Sequence, residues 1–144
     1  MWCLYGFYYI LVVGKKEEVV RFNIEVPKLC YMIKFKKKDF KISEHYELDV
    51  YFNTLLKCLF GPTSQFNEEA KNNDLYTNFF HSFDTTDDYL ILYLYAETTK
   101  QNELWKFIEK TLNNRNNLLT EDDFTRNKKV NIANKVKSSC YIDS

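Results

Sequence analysis

The groups in this sequence that could do chemistry are two histidines, four cysteines and a few adjacent carboxylates. A hydrolytic zinc site needs three protein ligands that hold the ion and leave a fourth position for water, commonly with two histidines one helical turn apart. His45 and His81 lie too far apart to make that pair. His81 alternates with Phe79 and Phe83, which puts the three on one strand face and predicts a packed or hydrogen-bonded core histidine rather than a ligand. His45 falls in the first turn of a helix among Glu44, Tyr46 and Glu47, where a solvated surface residue is the plainer expectation. Glu68 and Glu69 do not form an acid/base couple, because neighbouring helix residues point in different directions; they complement the positive end of a helix instead. Cys3, Cys30, Cys58 and Cys140 are scattered without a C-x-x-C pair, the pattern of reduced structural thiols, and a cytoplasmic location follows from it. No Gly-rich phosphate loop, nucleophile elbow or Cys–His constellation occurs. The residues therefore predict no catalytic group, no metal ligand and no cofactor.

The rest of the chain sets the frame for these groups. Its 144 residues amount to one domain, 1–144, long enough to bury a core. Twenty basic and twenty acidic residues leave no net charge, so nothing in the overall field favours nucleic acid or an anionic membrane. The 12 Phe and 11 Tyr against 3 Gly and 2 Pro argue against disorder and for aromatic packing between sheet and helix. WCLYGFYYILVV is shorter than the ~20 apolar residues that cross a bilayer and carries neither a basic start nor a cleavage site, so it reads as a buried strand.

The clearest stretch is Ser43 to Phe83. Leu48, Tyr51, Phe52, Leu55, Leu56 and Leu59 recur at helical spacing and share one face, while Glu44, Asn53, Thr54 and Lys57 fall away from it. Gly61, with access to the left-handed conformation, and Pro62 stop the helix near Phe60. Thr63 or Ser64 caps a short, mostly solvated second helix. Before this unit, Val20, Phe22, Ile24 and Val26 alternate with polar residues as one strand, and Leu29, Tyr31, Ile33 and Phe35 alternate as another that ends in the solvated lysines Lys36, Lys37 and Lys38. After it, Tyr76–Phe83 and Tyr89–Glu97 flank a polar turn and predict an antiparallel hairpin. In its second arm Leu90, Leu92, Leu94 and Ala96 face one way, and the tyrosines and Ile91 the other. Thr98 with Gln101 has the form of a capping box for a helix striped by Leu104, Trp105, Ile108 and Leu112. Asn113 to Asn117 reads as a loop, and Thr120 opens a last helix whose apolar residues are Phe124, Val130, Ala133 and Val136. The sum is an α+β fold, an antiparallel sheet covered on one face by helices.

One resemblance follows from these residues. Leu59, Phe60, Gly61, Ser64, Phe66, Glu68, Glu69, Ala70 and Leu75 form a helix, break, helix, strand pattern that resembles the metal-free, C-terminal-type half-domain of insulinase/pitrilysin-type zinc metallopeptidases, in a bacterial branch. Val26-Pro27-Lys28 and Phe35-Lys36 are similar to the family's preceding strand, and Leu119–Lys129 to the opening of its next helix. The match spans about residues 20–140, which implies a half-domain incomplete at both ends. The resemblance implies a division of labour: a first half carries the zinc motif His-x-x-Glu-His, and a second half closes over the peptide. This chain holds no such motif, so the resemblance implies a non-catalytic half with no zinc of its own. Its implied partners are a zinc-bearing half-domain or homologous subunit and a peptide substrate. The family's substrate-steadying arginine, followed seven residues later by a tyrosine, aligns with Lys71 and Asn78. Lys71 keeps the positive charge but not the bidentate geometry, and a solvated helix lysine is its plainer reading. The other function open to such a fold is a stand-alone interaction module using a sheet edge or the tyrosine-rich face of the second hairpin arm.

Overall fold

The computed structural model describes residues 2–4, 7–9, 19–20, 23–39 and 45–142. Two short strands, β1 (Trp2–Leu4) and β2 (Phe7–Tyr9), pair antiparallel. The main sheet has β3 (Lys28–Lys36), β4 (Asn78–Thr85) and β5 (Tyr89–Glu97), all antiparallel, in the order β3-β5-β4. The last strand in sequence is therefore the middle one in space. Side chains alternate across a strand, so Tyr31, Ile33 and Phe35 join Leu90, Leu92, Leu94 and Ala96 on a buried face. Phe79, His81 and Phe83 of β4 point the same way and are half-buried.

Helices cover that face. α1 (His45–Phe60) lays Leu48, Phe52, Leu55, Leu56 and Leu59 on the sheet, with the Phe52 ring 6.1 Å from Phe35 and 6.3 Å from Phe83. α2 (Gln65–Asn72) is capped by Ser64, whose hydroxyl accepts the Asn67 N–H at 3.1 Å. α3 (Gln101–Asn113) contributes Leu104, Ile108 and Leu112, and its Trp105 meets Tyr31 edge-on at 4.7 Å. Each such side chain, fully buried, is worth ~1.5–3 kcal/mol relative to exposure. α4 (Arg115–Leu118) and α5 (Glu121–Ile142) complete the described chain. Thr120 starts α5 as expected, accepting the Asp123 N–H at 3.2 Å. Among the described residues no helix is long and apolar enough to cross a membrane.

Several expectations change. The alternation over Val20–Val26 does not make a strand in its described part: residues 23–27 are irregular, and Val20, Ile24 and Val26 are exposed. Alternation only reports that one face could be buried, and no neighbouring strand receives this segment in the main sheet. WCLYGFYYILVV is not one strand, since its described part pairs with itself. Gly61 is not left-handed; its lack of a side chain matters because its backbone approaches the Lys57 carbonyl. The stretch read as a loop after Asn113 contains α4, whose Arg115 is buried and donates to the Leu112 carbonyl at 2.7 Å, closing the negative end of α3.

Thr98 is not the cap of α3, which has Lys100 at that position with no side-chain bond. Its buried hydroxyl instead donates to the Leu75 carbonyl at 2.6 Å and accepts the Lys100 N–H at 2.8 Å, while its own N–H donates to Pro27 O at 3.0 Å. Thr98 thus ties β3, β5 and the α2–β4 connection together. Thr98→Val keeps the shape but strands a buried carbonyl and an amide, and is expected to cost about 2 kcal/mol. A urea-midpoint shift equivalent to less than half of that would contradict the tie.

Candidate functional site

The outer face of the sheet carries no helix among the described residues, and its side chains form a continuous surface. Because β5 is central, its register with both neighbours sets rows across three strands: Lys28, Glu97 and Asn78; Cys30, Tyr95 and Phe80; Met32, Tyr93 and Ser82; Lys34, Ile91 and Asp84. Met32 is 61% exposed and Phe80 60% exposed. The Phe80 and Tyr95 rings lie 6.2 Å apart, and the Lys34 ammonium sits 3.8 Å from the Tyr89 ring centroid. At one end Glu97 accepts from Asn78 Nδ2 at 2.5 Å and from Lys28 Nζ at 3.0 Å, and these bonds, the Asn78 one foremost, hold its carboxyl below the ordinary value. The surface is an aromatic and aliphatic strip with lysines along β3 and an aspartate on β4. It can pack against apolar side chains of another chain, and the outer edges of β3 and β4 have no strand partner in this sheet.

The sequence-singled residues fall elsewhere. His81 lies on the inner face of β4 and lines an open cleft with Asp49, Asn53, Ser82, Phe83, Asp84 and Thr85. Burial, helped by the nearby Lys57 charge, pushes its imidazole below the ordinary value of 6.5. The unfolded chain therefore takes up this proton first on acidification. The stability His81 contributes is complete above that ordinary value, begins to fall below it, and is gone once the pH passes the lower folded value. The urea midpoint is expected to drop between about pH 7.5 and 5.5, above the carboxylate range, and His81→Leu is expected to flatten that drop. An unchanged slope in the variant would assign the pH dependence to other groups.

His45 opens α1, and its side chain lies outside the described residues. Glu68 is exposed, and Glu69 accepts from Gln65 Nε2 at 2.6 Å, so the two carboxylates are not brought together on any substrate-sized space. Lys71 stands exposed in the last turn of α2, while Asn78 is engaged with Glu97. Cys30, Cys58 and Cys140 are free thiols. Among the described residues no three His, Cys, Asp or Glu side chains gather in a way that could hold a metal ion.

Sequence reasoning missed a polar seam between α1 and α5. Thr54, assigned to the outer side of α1, is completely buried. It donates to Val50 O at 2.6 Å and accepts from Asn131 Nδ2 at 3.1 Å, and Asn131 also accepts from Lys57. Asn127 donates to the Cys58 sulfur at 3.3 Å, and Lys135 pairs with Asp49 at 3.4 Å. α5 thus meets α1 through Asn127, Asn131 and Lys135, while Val130 and Val136 of the expected apolar set are exposed and Ala133 with them. Only Phe124 packs, with its ring 5.8 Å from Tyr51. The spacing of 127, 131 and 135 is one helical turn per step, which is the signal that marked the packed side.

No protein-family model matches the chain, and no curated protein matches it. Among solved structures it is similar to the crystal structure of a protein described as an M16-like peptidase from Alicyclobacillus acidocaldarius, with a TM-score of 0.67 and 20% sequence identity. The match covers 85% of this chain and 29% of that chain. The likeness is one of fold, an antiparallel sheet backed by helices, and the chain spans less than a third of the other protein's length.

Proposed function

We propose that this chain is a non-catalytic half-domain of an insulinase-type, M16-like peptidase assembly, closing a peptide chamber against a zinc-bearing partner half. The observation that carries the reading is the sheet itself: helices pack one face, the other is open, aromatic and lysine-edged, and the whole arrangement has the fold of a segment of an M16-like peptidase. A sheet so built presents its free face to whatever lies opposite. The helix, break, helix, strand order over Leu59–Leu75 supports the same assignment. In this reading the exposed Lys71 offers a single charge to a bound peptide, without the fork of an arginine, and the free thiols of Cys30, Cys58 and Cys140 suit the reducing cytoplasm.

The test is reconstitution. The purified chain is mixed with a catalytic half that carries His-x-x-Glu-His, and peptide hydrolysis and co-sedimentation are followed. Hydrolysis that rises with a saturable dependence on this chain is the expected result; neither association nor a change in rate with any such half would remove the chamber role. A second reading, a stand-alone module that captures an extended segment, is favoured by the outer edges of β3 and β4, which have no strand partner among the described residues. It predicts slowed hydrogen exchange at one of those edges when peptide is added in the absence of any partner half.

A further inference from the structure

We infer that the open sheet face is self-complementary and that two copies of this chain pair through it about a two-fold axis running along β5. The inference goes beyond the chamber reading and does not depend on a partner half.

The register carries it. Lys34 and Asp84 both stand opposite Ile91, so they occupy the same height on the two edge strands, one on each side of the middle strand. A two-fold axis parallel to the strands, lying between two facing sheets, sets β3 of one copy against β4 of the other without changing height. Lys34 then meets Asp84 of the second copy, and Asp84 meets its Lys34. The same operation sets Cys30 against Phe80 and Met32 against Ser82, while the residues on the axis, Ile91, Tyr93 and Tyr95, meet their own counterparts. All three are uncharged. Glu97, also on the axis, is already neutralised by Lys28 at 3.0 Å. A two-fold axis across the strands would instead set the β3 lysines against each other, so charge selects the first arrangement.

Neither Lys34 nor Asp84 has an ion-pair partner among the described residues. The stack of Lys34 on Tyr89 leaves its charge on the outer face, Ile91 stands between Lys34 and Asp84, and the next two rows bring Met32 and Phe80, both more than half exposed. Strand spacing and rise give the face a footprint of roughly 14 Å by 30 Å, at the low end for a specific interface, so the pair is a weak one. The expected dissociation constant is on the order of 10–100 μM, in the range of weak, transient pairs. Such pairing covers the aromatic strip, and any other partner of the face must compete with it.

The experiment is sedimentation equilibrium on the full chain over a range that brackets this constant, with a charge swap. The wild-type chain is expected to show a reversible monomer–dimer equilibrium that weakens with added salt. Lys34→Asp or Asp84→Lys alone is expected to weaken it at least tenfold, because each places like charges opposite one another twice. The double variant Lys34→Asp/Asp84→Lys is expected to restore it. Asp84→Lys leaves the Tyr89 stack intact, and Phe80→Ser, which touches no charge, is expected to weaken the dimer while leaving the thermal melt of the monomer unchanged. A chain that stays monomeric throughout, single variants that dimerise as well as wild type, or a double variant no better than either single one would each overturn the pairing.

Discussion

Gly61→Ala is expected to destabilise the protein by about 3 kcal/mol, a large effect for one methyl group. Gly61 follows the last turn of α1, and its N–H donates to the Lys57 carbonyl at 3.0 Å. A Cβ at this position would lie 2.3 Å from that oxygen, 3.1 Å from its carbon and 3.2 Å from the Lys57 Cα. All three are backbone atoms, so no rotamer change relieves the contact. Moving residue 61 is no easier, because its carbonyl accepts both the Ser64 N–H at 3.0 Å and the Ser64 hydroxyl at 2.7 Å, and that hydroxyl caps α2. The clash therefore either strains the α1 terminus or dismantles the cap. Losing the cap alone costs about 1 kcal/mol, so Ser64→Ala is the comparison that separates the two contributions. Urea denaturation of both variants decides the matter: equal losses would mean that residue 61 yields freely and that the close approach carries no weight of its own.

The fold was legible wherever one face of an element is dry and the other wet. β3 and β5 alternate with period two, and α1 repeats its leucines and aromatics at helical spacing, because each has one side in the core and one outside it. The hairpin of β4 and β5 followed from turn chemistry, and α1 stops at Phe60 as expected although Gly61 is not left-handed. Periodicity does not tell what lies opposite an element. Thr54 sits on the polar side of α1 and is nonetheless buried, since α5 brings Asn131 to bond with it. The valines of α5 misled for the converse reason: an apolar residue on a helix surface costs little, while a buried asparagine needs a partner. Thr98 has the spacing of a capping box, but its hydroxyl is claimed by the distant Leu75 carbonyl, a contact no local pattern contains. As for the candidate surface, the amphipathic second face of β5 was visible, but its joining to Met32 depends on which side of the hairpin β3 occupies. Pairing β3 with β5 rather than β4 is a long-range choice.

The seam between α1 and α5 and the sheet face make different demands on the chain. Thr54, Lys57 and Asn131 satisfy one another within the chain, so the seam is a closed account of donors and acceptors that specifies how α5 lies on α1. The outer sheet face leaves large apolar side chains in water, with a lysine and an aspartate that form no ion pair among the described residues. Buried polar groups that find each other stabilise a fold, whereas exposed apolar groups in one contiguous strip favour contact with something else. That contrast is the reason the proposed contacts are put on the sheet face, while His81 is half-buried on the inner side of β4.

Phe66→Ala is expected to have the largest effect, a loss of about 4 kcal/mol. α2 is an eight-residue helix, and a helix of that length is marginal in water by itself. Its surface residues include Glu68 and Lys71, which are exposed, so packing by Phe66, Asn67 and Ala70 must hold it. Phe66 does most of this. Its ring is 4.9 Å from Phe60 of α1 in an edge-on contact, 5.0 Å from Phe79 of β4, 5.0 Å from Phe107 of α3 in a stacked one, and 6.5 Å from Tyr76. Two helices, the sheet and the α2–β4 connection therefore meet at one side chain that is 2% exposed. Removing it opens a cavity whose walls belong to separate elements, each fixed elsewhere, so collapse cannot refill it. Asn67, which accepts from Tyr76 and donates to Pro62 O at 2.7 Å, does not replace the lost packing. Hydrogen exchange should register the change first in α2, with its amides approaching unprotected rates while those of β3 and β5 remain slow. A variant that loses less than about 1.5 kcal/mol, the range of a volume-conserving swap, with α2 still protected would mean that the four rings hold the helix without their centre.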